Sequence, residues 1–220
     1  MYITLIFLGI IMATIITWLL RQTLNTQPWV SEPADDAVSG ASMDSNSKTV
    51  ALTAFLAVAT SVFALFISAY TIRMEEPDWR PLAEPTLLWA NTVALILASV
   101  AYHWTRNAAV NGIQERLKPG LMLSGALTIL FLLGQIVAWQ QLSAAGYYAD
   151  RNVANAFFYM LTAAHGMHML GGLWVWARST IKVWTGAEAD SVRLSIELCT
   201  VYWHFLLLVW IVLFGMLLST

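Results

Sequence analysis

The sequence predicts an all-α integral membrane protein, a bundle of about six transmembrane helices. Three observations carry this. Of 220 residues, 59% are hydrophobic and only 11% charged, where a typical soluble domain is about 25% charged. All the charged residues but Glu197 fall between the apolar runs or, as Arg73 and Arg106, at their last position. Each run has the length, about 20 residues at about 1.5 Å per residue, that a hydrocarbon core of about 30 Å requires. Helices meet this requirement because lipid cannot satisfy unpaired backbone groups. A barrel would instead show alternating strands of about 9–11 residues.

Taken in order, the runs are 2–20, 49–73, 86–106, 119–143, 153–177 and 194–218. The first has no basic residue in Met1-Tyr2-Ile3-Thr4 and leads into Trp18-Leu-Leu-Arg21 without a small-residue cleavage site. It therefore reads as a retained helix rather than a secretory signal peptide. Residues 21–48 are rich in Ser, Asp and Pro, a composition that disfavours a packed core. The chain thus divides into an N-terminal helix (1–20), a polar linker (21–48) and a five-helix block (49–220). The loops of that block are expected to run about 8–16 residues. Gly125, Gly134, Gly166, Gly171 and Gly172 allow close helix approach in lipid.

Basic residues set the orientation. With the linker inside, Arg21, Lys48, Arg106, Arg116, Lys118, Arg178, Lys182 and Arg193 lie inside, and Arg73, Arg80 and Arg151 outside. Both termini are then outside. Trp18, Trp79, Trp89, Trp104, Trp139 and Trp184 fall near helix ends, where an interfacial aromatic belt belongs.

Several function classes are excluded. A net charge of −2 offers no basic field for nucleic acid. A single cysteine, Cys199, excludes an intrachain disulfide or a CxxC metal site. No nucleophile elbow, phosphate loop or carboxylate pair is visible, so no catalytic residue is assigned. The remaining signal is the polar residues within the spans.

His165 and His168, three apart, share one face of the fifth helix. Each can hydrogen-bond to a neighbouring helix, meet a lipid headgroup, or contribute to a metal site completed by His204, His103 or Glu197. His204 could equally pair with His165 or His168 as a haem axial ligand. His103, beside Arg106, reads as interfacial. Glu197 reads as a helix-end ion pair with Arg193 at i, i+4, the alternative being a proton-conducting carboxylate. Asn91 and Gln135 are candidates for interhelical hydrogen bonds.

Four segments together resemble subunit III of the haem–copper respiratory oxidases. They are Phe157-Phe-Tyr-Met-Leu-Thr-Ala-Ala-His165-Gly-Met-His168-Met-Leu-Gly-Gly172, Tyr202-Trp203-His204-Phe-Leu-Leu-Leu-Val-Trp210, Glu84-Pro-Thr-Leu-Leu-Trp-Ala-Asn91-Thr92 and Phe131-Leu-Leu-Gly-Gln135-Ile-Val-Ala-Trp139. With the preceding helix, the resemblance covers about 49–218. It implies a non-catalytic accessory subunit of a proton-pumping cytochrome c oxidase, part of a respiratory chain that reduces dioxygen to water. It further implies no haem or copper in this chain, both residing in partner subunits, and packing beside catalytic subunit I and subunit II. It also implies bound phospholipid and a bacterial inner-membrane location with periplasmic termini. His165, His168, His204, Trp203, Gln135, Asn91 and Glu197 become structural or lipid-binding residues.

This sequence departs from the family pattern at three carboxylates. Thr60 and Ser61 stand nearest a helix position that often carries Glu; Ala138 and Leu207 replace an often-found Glu and Asp. One helix, not two, precedes the linker. The same resemblance accommodates a quinol oxidase or nitric oxide reductase accessory subunit. From the residues alone, a haem-b electron-transfer protein using His204 stays open.

Overall fold

The computed structural model describes residues 40–82 and 85–219, with side chains from residue 48 onward. The expected helix 2–20, most of the linker, Trp18, Glu84 and both termini lie outside the described residues. Within them the chain forms five helices and no strand: α1 (Gly40–Arg73), α2 (Leu87–Val110), α3 (Gln114–Ala144), α4 (Val153–Trp184) and α5 (Ala189–Leu218). The chain divides into two compact units between Thr71 and Ile72, with α1 up to Thr71 in the first and α2–α5 in the second.

All the helices outrun the apolar runs that predict them. α3 begins at Gln114 rather than 119 and carries Pro119 inside it. α4 continues to Trp184 rather than 177. At about 1.5 Å per residue, a helix of this length exceeds a hydrocarbon core of about 30 Å. Hydropathy marks where a helix leaves lipid, whereas the helix itself continues through charged turns. The connections shrink accordingly: residues 111–113 and 185–188 are shorter than the expected loops.

Three of these helices end alike. Gly112, Gly146 and Gly186 have φ of 68°, 87° and 91°. Each glycine N–H donates three residues back, and the following N–H five residues back, as in Ile113 to Ala108 at 2.9 Å. This left-handed closure caps orphan carbonyls and reverses the chain in few residues. Glycine enters it without a Cβ penalty. In the same connection as Gly146, Asn152 caps α4 through Ala154 N–H and donates to the Arg80 carbonyl at 2.6 Å.

Four helices, α1, α2, α3 and α5, are long and apolar enough to cross a membrane. α4 is long enough at 32 residues, but its mean hydropathy is lowered by Asn155, Thr162, His165 and His168. In α1 the buried positions Ala59, Phe63 and Tyr70 fall on one stripe. Thr60 and Ser61 there donate to the carbonyls of Leu56 and Ala57 at 2.7 and 3.0 Å.

In the second unit, α2 and α3 run antiparallel at close range. A Cβ on Gly134 would meet the amide of Asn91, and one on Gly120 the hydroxyl of Thr105. The two pairs are 14 residues apart on each helix, close to four turns, so the contact extends along both. Gly125 makes room for Trp176, and Gly172 for Trp203 and Tyr202. Gly171 has no neighbour within 4 Å. Of the glycines read as close-approach sites, then, Gly125, Gly134 and Gly172 serve that purpose, whereas Gly166, with Leu132 3.9 Å away, and Gly171 do not.

The two adjacent glycines give a matched test. Gly172→Ala is expected to cost about 1–3 kcal/mol through overpacking, read as a lower unfolding midpoint in detergent. Gly171→Ala should leave the midpoint unchanged or slightly raised.

Candidate functional site

The polar residues of α2–α5 form a seam along the interior of the second unit. Its recurring element is a tryptophan N–H donated across to a neighbouring helix. Trp203 on α5 donates to Thr128 Oγ1 on α3 at 3.0 Å. Trp210 on α5 donates to Thr92 Oγ1 on α2 at 2.9 Å. Trp139 on α3 donates to Thr162 Oγ1 on α4 at 3.0 Å. In each case the threonine hydroxyl gives its own proton to the carbonyl four residues back, at 2.8 Å for Thr92, 2.9 Å for Thr128 and 2.7 Å for Thr162. The hydroxyl oxygen is left as the acceptor the indole needs. Trp176 follows a variant, donating to the Leu121 carbonyl at 2.9 Å.

His165 is fully buried. Its Nε2 lies 3.0 Å from the Leu206 carbonyl, which can only accept, so Nε2 carries the proton. Its ring packs 5.3 Å from Trp210 and 5.7 Å from Phe131. His168 is half-buried and turns Nδ1 to the Ala164 carbonyl at 2.8 Å. The carbonyl of His168 in turn accepts from Tyr202 at 2.8 Å. His204 is exposed; its Nδ1 bonds Ser99 Oγ on α2, and its ring stands 5.9 Å from that of His103. So His165 meets α5 at Leu206, and His204 turns to α2. Each of these imidazoles thus has one ring nitrogen committed to a neighbouring helix. Among the described residues no group of three or more His, Cys, Asp or Glu is placed to hold a metal ion.

The other predicted residues are equally placed by packing. Trp203 is fully buried, 4.4 Å from the ring of Tyr102. Asn91 and Gln135 are buried. Glu197 accepts from Arg193 Nε at 3.3 Å, with side chains 26% and 48% exposed. An exposed pair of this kind contributes about 0.3–0.5 kcal/mol at most. Trp89, Trp104 and Trp184 are exposed, as belt residues are, whereas Trp139 serves as an interior tie.

The sequence reading did not assign the hydrogen-bonding roles of Thr92, Ser99, Thr128, Thr162, Tyr202 and Trp176. A threonine in an apolar helix is unremarkable by itself, because its hydroxyl can be satisfied by its own backbone. Only the pairing of a Trp on one helix with a Thr on another carries the signal, and sequence does not give that pairing.

These features define a membrane-spanning helical bundle whose buried polar groups join its helices to one another. Residues 51–218 match the family described as cytochrome c oxidase subunit III, and the chain belongs to that family. It is 30% identical over 169 residues to a cytochrome c oxidase subunit 3 of Synechocystis sp., covering 73% of this chain and 70% of the relative. A probable cytochrome c oxidase subunit 3 of Mycobacterium leprae is 30% identical over 157 residues, 68% of this chain and 76% of that one. The Thermostichus vulcanus protein of that name is 27% identical over 195 residues, 82% and 91% of the two chains. Against the Cyanidium caldarium protein the match spans only 45% of the relative's length.

The indole ties predict a measurable coupling. In a Trp203→Phe and Thr128→Val double-mutant cycle, the coupling energy should be about 0.6 kcal/mol and not above about 1.7, the range for hydrogen bonds between helices in bilayers. Unfolding in detergent or nanodiscs reads it.

Proposed function

We propose that this chain is a non-catalytic accessory subunit of a proton-pumping cytochrome c oxidase. It packs against the catalytic haem–copper subunit, with subunit II in the same assembly, and stabilises that subunit during turnover. The observation that carries the reading is the commitment of the central histidine. His165 is fully buried and spends its proton on the Leu206 carbonyl. A group so used positions α4 against α5; it is not offered to a substrate. The match over residues 51–218 supports the same role.

Phospholipid binding belongs to this proposal. His204 and His103 are exposed side by side, with Ser99 behind His204. They are the seam residues best situated to meet a headgroup. The location that fits is a bacterial inner membrane, with the termini on the periplasmic side.

A mild-detergent pulldown through a tag on this chain tests the role. The expected preparation carries haem, copper and oxygen-reducing activity, and the isolated chain carries neither metal. Recovery with a nitric oxide reductase or quinol oxidase would redirect the assignment. A reducible haem band in the isolated chain would overturn it. In the complex, His165→Ala should shorten turnover lifetime or weaken retention of the subunit, with the haem bands unchanged.

A further inference from the structure

Asn91, Gln135 and His165 come from α2, α3 and α4, and contacts of their neighbours connect them into one polar layer of the second unit. Asn91 packs against Gly134, the residue before Gln135. Phe131, one turn from Gln135 on the same face of α3, has its ring 5.7 Å from His165 and 4.9 Å from Trp210. Trp210 donates to Thr92, the residue after Asn91. The side chains of Asn91, Gln135 and His165 are 4%, 6% and 0% exposed.

Four buried atoms in this layer have no protein partner: Asn91 Nδ2, Gln135 Nε2, Gln135 Oε1 and His165 Nδ1. Their polarity is fixed by chemistry. The amide nitrogens donate and the amide oxygen accepts. Because Nε2 of His165 carries a proton for the Leu206 carbonyl, Nδ1 of the neutral ring accepts. The neighbouring polar groups are already engaged. Thr92 donates to Leu88 and accepts from Trp210, and the Leu206 carbonyl accepts from His165.

The layer thus presents two donor and two acceptor atoms and carries no charge. A cation would face the amide N–H groups, and an anion the acceptors, with no opposite charge for either. The complement is a small neutral molecule that donates twice and accepts twice. We infer that Asn91, Gln135 and His165 form an internal water site, in which one or two ordered water molecules bridge the side-chain amides to Nδ1 of His165. Buried waters in proteins typically make about three hydrogen bonds to such otherwise unsatisfied groups. The water holds His165 in the tautomer that binds α5 and links α2, α3 and α4 at one level. This inference rests on the interior of the bundle and stands apart from the accessory role.

The test is a structure of the assembled complex at a resolution that shows ordered water. The expected result is a solvent peak about 2.7–3.2 Å from His165 Nδ1 and from at least one of the two amides. In Gln135→Met, which keeps side-chain length and removes the amide, that peak should be lost or displaced toward Asn91. A dry layer in which the amides bond each other or His165 directly would overturn the inference. So would a peak unmoved by Gln135→Met. Both results are read on this chain whichever catalytic subunit accompanies it.

Discussion

Trp203 sits where α3, α4 and α5 meet, and its N–H can be satisfied only by another helix. Thr128 supplies the acceptor, and Gly172 supplies the room. Much of the second unit follows from this kind of constraint. In lipid there is little hydrophobic force between helices, because acyl chains are as apolar as leucine. Association then relies on close packing and on polar groups that would otherwise go unpaired. The repeated indole-to-threonine tie answers both needs. The large ring fills space, and the N–H finds an oxygen whose own proton is already used within its helix.

The same constraint explains the glycine positions. A helix surface must be flat where a tryptophan or an amide lies on it. Gly125 faces Trp176, Gly134 faces Asn91, and Gly172 faces Trp203. Each glycine thereby fixes the depth at which a polar side chain sits, and so the height at which its partner must appear. Gly171 faces nothing within 4 Å, so its neighbour in sequence, not glycine content as such, sets the contact.

The histidines take their meaning from this framework. His165 ties α4 to α5, His168 offers its carbonyl to Tyr202, and His204 reaches α2 through Ser99. The rings themselves engage α5 from His165, α4 itself from His168 and α2 from His204. This suits the accessory role proposed above. Ala138 is fully buried. The space there belongs to packing, so a charge at that position would need partners this interior does not supply.

The sequence by itself determined the class of protein and the helices. Charge-free runs of about 20 residues are a direct physical readout of hydrocarbon thickness, so the five helices of the described chain were legible from charge positions alone. Helix ends were less legible, because helices continue past the lipid through charged turns and close at Gly112, Gly146 and Gly186. His165, His168, His204, Asn91 and Gln135 stood out, since polar groups are rare in such runs. What each one does was decided only in three dimensions. A buried imidazole can bind metal, lipid or a carbonyl, and the choice depends on which atom of which neighbouring helix lies at hydrogen-bond distance. The role of Thr92, Thr128 and Thr162 as acceptors left no mark in the sequence, because it exists only when a tryptophan from another helix arrives opposite them.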